Sequence, residues 1–386
     1  MRKLKAAIIG MGFIAGSHID AVRRLGFAEV VAAAGTGPNP AQSRKKAEDF
    51  YIPKYYDTLD ELLLDKDIDV IHNCTPNHLH LEVNEKIIRS GKHVFSEKPL
   101  AVTSAESARQ LELLKEHPGI THGVNFNYRM NPLVQEIKHK VRRGEIGRPR
   151  LIHGSYLQDW LLYDTDYNWR LESRLSGPSR AIADIGSHWM DGAQVIAGGR
   201  IVEVCADLVT VIPTRKKPNG QIETFAVNTN AEYTDKAIDT EDYGAVMFRM
   251  DNGVSGVFHV SQVSAGRKCH FNYEINGSEA SLYWNQETAD HMWMGFRDEA
   301  NRLVMRDPKL IVDQAQPYTS LPAGHPEGWN DAMKNNVYSF YKFIAEGKRI
   351  GVDPCDFATF EDGHAMMRLI DAVLESHNRK TWVAIN

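Results

Sequence analysis

The sequence predicts an α/β protein whose N-terminal part is a doubly wound parallel sheet and whose C-terminal part is an α+β domain with a large, mainly antiparallel open sheet. Short apolar strands alternate with helical segments in the first third, which is typical of parallel sheets. After about residue 149 the strand-like segments become longer, and Asp251-Asn252-Gly253 predicts a hairpin turn. A chain of 386 residues exceeds a typical single core, so we expect two domains, 1–128 and 129–386.

The elements of the first third are predicted from apolar periodicity and from residues that begin or end helices. Pro40 stands near a helix start and Gly91 just after a helix end, where each residue is favoured. The predicted strands cover residues 5–9, 29–34, 69–74, 93–96 and 121–125. The predicted helices cover residues 14–25, 39–50, 59–64, 79–90 and 104–116. This alternation predicts a Rossmann arrangement, with helices on both faces of the sheet.

The second part is predicted from longer strand patterns and three helical segments. The predicted strands cover residues 151–156, 201–212, 243–250, 254–262, 270–276 and 281–284. The predicted helices cover residues 186–196, 329–345 and 357–376, and the last is a candidate to pack back on the first domain. Residues 214–220 contain Lys, Pro and Gly, which predicts an exposed loop.

Composition excludes several classes of protein. The net charge of -5 argues against a nucleic-acid or anionic-membrane partner, which would require a basic face. The four cysteines form no C-x-x-C pair, so we predict neither a disulfide framework nor a metal site. No apolar run approaches the ~20 residues that span a bilayer. The short apolar stretch that follows the first basic residues reads as a strand rather than a secretory signal, which predicts a cytoplasmic protein.

A glycine-rich turn stands between the first strand and the first helix. In Gly10-x-Gly12-x-x-Ala15, Gly10 permits the tight turn, Gly12 lets the backbone approach a pyrophosphate, and Ala15 allows close helix–strand packing. Phe13 and Ile14 lie in the same turn, at a helix N-terminus that offers amide donors to a phosphate. An ordinary glycine turn is the alternative for such a short pattern. Its place between strand and helix favours dinucleotide binding.

The end of the second strand lacks the acid that usually binds the adenosine ribose. The sequence there is Ala34-Gly35-Thr36-Gly37, so NAD selectivity through a ribose carboxylate is not available in the usual way. Thr36, Ser43, Arg44 and Lys45 could tolerate or favour a 2′-phosphate instead. Arg44 and Lys45 could equally belong to a solvated helix face. The sequence therefore leaves NAD or NADP open.

Polar residues follow the later strands, at the sheet edge where open α/β folds bind ligands. They are Thr75, Asn77, His80, Glu97, Lys98 and Asn125, and Pro76 fixes the backbone between the first two. Helix capping and a packed histidine are the alternatives for Asn77 and His80, and a surface charge is the alternative for Lys98. A lysine beside a nicotinamide could serve as a proton partner or as a donor to a substrate hydroxyl.

Asp184 and His188 are four residues apart, which on a helix places both on one face. Oxidising an alcohol by hydride transfer requires removal of the hydroxyl proton, and an imidazole suits that task. The carboxylate could orient the substrate or stabilise the imidazolium. A capping aspartate beside a core histidine is the alternative for an isolated pair of this kind.

Candidate substrate residues come from an aromatic and acidic region and its neighbours. They are Tyr128, Trp160, Tyr163 and His325, together with Lys98, Asp184 and His188. Aromatic faces with nearby carboxylates suit the CH faces and hydroxyls of a sugar. The aromatic residues could equally form an interdomain or subunit contact, and His325 could belong to a loop that precedes a helix.

Taken together, these motifs resemble those of the Gfo/Idh/MocA oxidoreductases, along essentially the whole chain. The motifs are Ile9-Gly10-x-Gly12, Thr75-Pro76-Asn77-x-x-His80, Glu97-Lys98-Pro99, Trp169-Arg170 and Asp184-x-Gly186-x-His188. The resemblance implies catalytic roles for Lys98, Asp184 and His188, a contact of Glu97 with the nicotinamide end of the cofactor, and a place for Arg170 near cofactor or substrate. The family's usual glycine triplet is here replaced by Ser176-Gly177-Pro178-Ser179-Arg180.

The resulting hypothesis is an NAD(P)-dependent oxidoreductase. It would transfer a hydride between a ring hydroxyl of a sugar, anhydrosugar or cyclitol and nicotinamide. The alternatives are an NAD-dependent glycosidase of the same fold and a non-catalytic nucleotide-binding regulator. The resemblance also implies a large open sheet that forms a homodimer or homotetramer.

Overall fold

The N-terminal sheet consists of six parallel strands. The computed structural model describes residues 2–37, 39–219 and 232–385. The strands are β1 (Leu4–Ile9), β2 (Ala28–Ala34), β3 (Lys54–Tyr56), β4 (Val70–Asn73), β5 (His93–Ser96) and β6 (His122–Val124). Their order across the sheet is β3-β2-β1-β4-β5-β6, so the predicted doubly wound parallel sheet is confirmed. The edge strand β3 was not predicted, because three partly exposed residues carry too short a pattern.

Five helices connect these strands, close to the positions that the sequence predicts. They are α1 (Ala15–Arg23), α2 (Pro40–Asp49), α3 (Leu59–Leu63), α4 (His80–Arg89) and α5 (Ser104–Glu116). Side chains cap three of them: Asn39 accepts from the Gln42 amide, Thr58 from Glu61 and Thr103 from Glu106. Such caps satisfy N–H groups that have no partner within the helix, which is why these helices begin where they do.

The second sheet is mixed and mostly antiparallel, as predicted. The helices before and beside it are α6 (Pro132–Arg142), α7 (Ser173–Ser176) and α8 (Ser187–Ala197). The strands are β7 (Leu151–Leu157), β8 (Ile201–Val209), β9 (Thr214–Pro218), β10 (Tyr233–Ala237), β11 (Tyr243–Met250), β12 (Ser255–Ser261), β13 (His270–Asn276), β14 (Ala280–Asn285), β15 (His291–Phe296) and β16 (Arg302–Met305). The chain ends with α9 (Trp329–Ala345), α10 (Phe360–Arg379) and β17 (Val383–Ala384).

Nine of these strands form one sheet in the order β16-β15-β14-β13-β7-β12-β11-β8-β17. Only the pair β7 and β12 is parallel among the paired strands of this sheet in the described residues. Helices α6 and α8 pack together and against its strands, where Trp189 of α8 stacks on Phe258 with ring centroids 4.6 Å apart. This face is the core that positions α8.

The prediction of an exposed loop at residues 214–220 is wrong for the part that the structure describes. Residues 214–218 form β9, which pairs antiparallel with β10. Arg215 in this strand is fully buried, because its guanidinium bonds to the Asp242 carboxylate at 2.8 Å and to backbone carbonyls. The strand was missed because its segment is polar in composition, and one of its two buried residues is a paired arginine rather than an apolar side chain. Gly220 lies outside the described residues.

Helix α6 was missed although its start is visible in the sequence. Pro132 stands at the first helical position, and the Asn131 side chain accepts from the Leu133 amide at 3.0 Å. Both features are typical of a helix N-terminus.

By its internal contacts the chain divides into two units. The first comprises Met1–Phe126 and Met333–Met367, and the second comprises Asn127–Ala332 and Arg368–Asn386. Helix α10 therefore contributes to both. Within the first unit, the Phe360 amide at its start donates to the His122 ring at 3.1 Å. No helix among the described residues is long and apolar enough to cross a bilayer.

Candidate functional site

The glycine turn of the first unit has the geometry that a pyrophosphate requires. Gly10 adopts a φ of +86°, and a Cβ atom there would lie 2.8 Å from the Cys74 backbone. A Cβ atom on Gly12 would meet nothing within 4 Å, so the backbone is open at that point. No side chain caps α1, and the turn exposes 62% of Phe13. Uncapped amides at a helix N-terminus fit a phosphate, and Ile14 is the N-cap.

Thr75, Pro76, Asn77 and His80 follow β4 at the same edge of the sheet. His80 is fully buried, and its two ring nitrogens lie 2.7 Å from the Pro99 carbonyl and 2.8 Å from the Thr75 carbonyl. Burial lowers the pKa of His80, while the two carbonyl oxygens, which can only accept, act in the opposite direction. This histidine ties the turn after β4 to the turn after β5. Its surroundings favour a positioning role over direct contact with a cofactor.

Glu97 follows β5 in a buried polar environment. Its Oε1 atom lies 2.8 Å from His18 Nε2 and accepts from Asn125 Nδ2 at 2.6 Å. Burial opposes ionisation, but the hydrogen bond from His18, the Lys98 ammonium and the Asn125 amide outweigh it and lower the pKa of Glu97 to about 2. The next residue, Lys98, is partly exposed. The sheet edge therefore presents a fixed carboxylate beside an ammonium.

Arg44, which the sequence offers as a contact for a 2′-phosphate, already has a partner in the structure. The Arg44 guanidinium bonds to Asp57 at 2.7 Å and lies 4.6 Å from the centre of the Tyr55 ring. A Cβ atom on Gly35 would lie 2.6 Å from the Ser43 side chain, so any larger residue at position 35 would require Ser43 to shift. Thr36 beside it is partly exposed.

In the second unit, Asp184 lies in a π-helical turn, Ile182–Gly186, that runs directly into α8. Glu241 holds the start of this turn, accepting from Ser179 Oγ at 2.7 Å and from the Ile182 amide at 2.9 Å. Burial raises the pKa of Glu241. Turns of this kind occur frequently at functional sites.

Gln262 and Arg170 both contact the Asp184 carboxylate. Gln262 Nε2 donates to Oδ2 at 3.0 Å, and Arg170 Nε lies 3.4 Å from Oδ1. Gln262 is itself held by the fully buried Arg180, which donates to its Oε1 atom at 2.9 Å. Sequence reasoning missed Gln262, because 78 residues separate it from Asp184. Arg180 is one of the residues that replace the family's glycine triplet.

His188 is buried one turn beyond Asp184, on α8. Its ring packs edge-on against Tyr128, with the ring centroids 4.9 Å apart. The Tyr128 hydroxyl lies 2.7 Å from the Tyr156 hydroxyl, which fixes the tyrosine in turn. The π-helical turn and α8 thus carry a carboxylate and an oriented imidazole four residues apart, two groups whose chemistry suits proton transfer.

The remaining predicted substrate residues differ in exposure. Trp160 is partly buried, packs on the cluster of Leu161, Leu171 and Ile238, and donates from Nε1 to Gln158 at 3.0 Å. Tyr163 is 65% exposed, and His325 lies on an exposed loop. Only Trp160 therefore has the fixed geometry that a sugar-stacking ring would need.

Comparisons with known proteins agree with this arrangement. Residues 4–126 match the oxidoreductase family with an NAD-binding Rossmann fold, and residues 134–283 match the GFO/IDH/MocA C-terminal domain. Levoglucosan dehydrogenase of Pseudarthrobacter phenanthrenivorans is 30% identical over 401 residues, covering 100% of this chain and 99% of that protein. The chain belongs to the Gfo/Idh/MocA family. The predicted oxidoreductase, its NAD-binding Rossmann fold and its family are confirmed.

Other members of the Gfo/Idh/MocA family are also similar to this chain. 1,5-Anhydro-D-fructose reductase of Ensifer adhaerens is 28% identical over 278 residues, covering 71% of this chain and 74% of that protein. A solved structure of levoglucosan dehydrogenase in complex with NADH and levoglucosan superposes with a TM-score of 0.86 at 28% identity, covering 100% of both chains. These relatives act on sugars or anhydrosugars, the substrate class that the sequence predicts for this member of the family.

Proposed function

We propose that this protein oxidises a ring hydroxyl of a sugar or anhydrosugar with a nicotinamide dinucleotide as the hydride acceptor. One observation carries the proposal: the Asp184–His188 pair is built into a rigid π-to-α turn, in a chain that resembles levoglucosan dehydrogenase over its whole length. Cyclitols, which also carry ring hydroxyls, are a related class of substrate. The roles of the individual residues belong to the same proposal.

The glycine turn, Thr75, Asn77, Glu97 and Asn125 would hold the dinucleotide, which supplies a hydride acceptor at nicotinamide C4 when bound. His188 takes the proton from the substrate hydroxyl. Asp184, held by Gln262 and Arg170, stabilises the imidazolium that results. Lys98 donates a hydrogen bond to the same oxygen and lowers the cost of its deprotonation.

The substrate would meet the second unit near His188. The Tyr128 ring orients the imidazole, and Trp160 offers an aromatic face for the CH side of a sugar ring. Tyr163 and His325 stay predicted as substrate contacts. We also propose a homodimer or homotetramer that forms through the nine-stranded sheet and a cytoplasmic location.

A substrate panel tests the activity. Sugars, 1,6-anhydrosugars and cyclitols are incubated with NAD or NADP, and the absorbance of the reduced nicotinamide is followed. Net reduction with one class of substrate supports a dehydrogenase. Cleavage of a glycoside without net reduction identifies the glycosidase alternative, and tight cofactor binding with no turnover on any substrate identifies the regulator.

We propose that NAD is the preferred cofactor, because the Asp57 carboxylate already binds the Arg44 guanidinium and would repel a 2′-phosphate. Replacing Asp57 with alanine frees the guanidinium. The ratio of NADP to NAD affinity is then expected to rise about tenfold, measured by fluorescence titration. Asp60→Ala is the matched control, since it removes an exposed carboxylate whose partner is Lys86 rather than Arg44. An unchanged ratio in Asp57→Ala would contradict this assignment.

Gln262 is expected to support catalysis through Asp184. Gln262→Leu removes the amide donor at 3.0 Å, so the Asp184 carboxylate loses a hydrogen bond. We expect kcat to fall about tenfold, because a hydrogen bond to a charged group is lost. The affinity for NADH, measured by titration, should stay unchanged. Gln316→Leu, at a bond to Asp313 elsewhere in the unit, should leave both quantities at the wild-type level. A fall in NADH affinity that matches the fall in kcat would mean a general structural effect.

A further inference from the structure

Four buried side chains of the first unit form a continuous chain of hydrogen bonds that leads away from Glu97. Glu97 Oε1 lies 2.8 Å from His18 Nε2, and His18 Nδ1 lies 2.7 Å from His72 Nδ1. His72 Nε2 lies 2.8 Å from the Tyr341 hydroxyl on α9. The two histidines and the tyrosine are fully buried. The mechanism proposed above uses none of these three residues.

The position of every proton along these hydrogen bonds follows from the first group, the Glu97 carboxylate. An ionised carboxylate only accepts, so His18 must carry its proton on Nε2. A neutral His18 then accepts at Nδ1, and His72 must donate from its own Nδ1. His72 Nε2 is left as an acceptor, and the Tyr341 hydroxyl donates to it. Burial lowers the pKa of His72 well below its usual value, which agrees with a neutral ring.

The opposite proton order fits less well. A doubly protonated His18 would donate to His72, and His72 would then donate to Tyr341. The tyrosine proton would be left without an acceptor, because His72 is the hydrogen-bond partner of Tyr341 within the described part of the chain. A buried donor without an acceptor is costly. The hydrogen-bond count therefore favours the order that runs from Tyr341 to Glu97.

A second set of donors also reaches the Glu97 carboxylate. Asn125 Nδ2 donates to the same Oε1 atom at 2.6 Å, and Asn336 of α9 donates to Asn125 Oδ1 at 3.0 Å. The Lys98 amide reaches Oε2 at 3.3 Å. Helix α9 thus supports Glu97 by two routes, through Tyr341 and through Asn336. Two directed donors on one oxygen restrict both the rotation of the carboxylate and the place of its charge.

We propose that His18, His72 and Tyr341 are positioning residues, whose directed hydrogen bonds hold the negative charge of Glu97 in one orientation. The fixed charge raises the affinity of the protein for the oxidised relative to the reduced nicotinamide dinucleotide. The oxidised ring carries a positive charge and the reduced ring does not, so a fixed carboxylate discriminates between them. The inference rests on the proposed function only through the assignment of Glu97 to the nicotinamide end of the cofactor.

The first measurement is made on the wild-type protein without substrate. Nitrogen-15 NMR of histidine-labelled protein reports the tautomer of each ring. We expect one buried histidine protonated only on Nε2, His18, and one protonated only on Nδ1, His72. Their signals are assigned by their loss in His18→Asn and His72→Asn. A doubly protonated His18, or His72 protonated on Nε2, would overturn the proposed proton order.

The second measurement tests the consequence for the cofactor. Tyr341→Phe removes the terminal donor with little change in volume. The NAD affinity is expected to fall about three- to tenfold while NADH affinity stays within about twofold, both measured by titration without substrate. The control is Tyr338→Phe, which makes the same change on the same helix, where the ring packs against Phe27. Equal losses for both cofactors, or the same loss in the control, would overturn the proposal. Because no substrate is present, failure of this test is distinct from failure to find a sugar that is oxidised.

Discussion

Replacing His188 with asparagine is expected to lower kcat by about 10²–10⁴ and to leave the affinity for NADH nearly unchanged. Asparagine retains polarity but cannot take a proton from the substrate hydroxyl. The imidazole of His188 is buried beside Tyr128, so water has little access to replace it. Steady-state kinetics with the best substrate of the panel and a fluorescence titration of NADH measure the two quantities.

A parallel change in the first unit tests the same assignment. Lys98→Ala is expected to lower kcat over the same range of about 10²–10⁴, because the hydrogen bond to the developing alkoxide is lost. His117→Asn, at the C-terminal end of α5, is the control and should retain wild-type turnover. Wild-type turnover in both His188→Asn and Lys98→Ala would show that other residues carry the proton.

Removing Asp242 is expected to have the largest effect on stability. This carboxylate lies between two buried guanidiniums, 2.5 Å from Arg180 Nη2 and 2.8 Å from Arg215 Nη2, and all three side chains are 0% exposed. Asp242→Ala leaves two like charges buried without their partner. The free energy of unfolding is expected to fall by about 3–5 kcal/mol, measured by urea denaturation.

An exposed ion pair supplies the matched control. Asp235 lies 2.5 Å from Lys216 on the neighbouring hairpin, but the two side chains are 65% and 43% exposed. Asp235→Ala should therefore change the free energy of unfolding by less than about 1 kcal/mol. A similar small change in Asp242→Ala would contradict the importance of the buried cluster.

The contribution of Asp242 to stability depends on pH, and the sign of this dependence follows from its pKa. Burial opposes ionisation of Asp242, but Arg180 and Arg215 outweigh it, and the pKa of Asp242 is lowered. A lowered pKa in the folded protein means that this stabilisation is present above the pKa of the unfolded chain and is lost as the pH falls in acid. The difference in unfolding free energy between wild type and Asp242→Ala should therefore shrink as the pH is lowered through that range.

Much of the first unit could be predicted because its signals are local. Strands such as Val70–Asn73 are short apolar runs, and helices such as Ser104–Glu116 begin at a capping residue. The glycine turn and the lysine after β5 are also short-range patterns, and so is the Asp184–His188 spacing in the second unit. Each depends on backbone geometry within a few residues, which the sequence expresses directly.

The supporting partners could not be predicted in this way. Gln262 reaches Asp184 across 78 positions, and Tyr341 reaches His72 across 269. The sequence around Arg215 predicts a polar loop, and only the structure shows that Asp242 pairs with this arginine. A polar side chain carries no mark of burial in its own segment, because its partner is supplied by another element of the fold.

The sequence by itself determined the alternation of strands and helices, the nucleotide-binding turn and the identity of the residues proposed for proton transfer. Only the tertiary structure decided what holds those residues in place: the Arg180–Gln262 support of Asp184, and the His18–His72–Tyr341 chain behind Glu97. The physical reason is that elements form from contacts between near neighbours, whereas a buried charge must be compensated by whatever groups the folded chain brings to it.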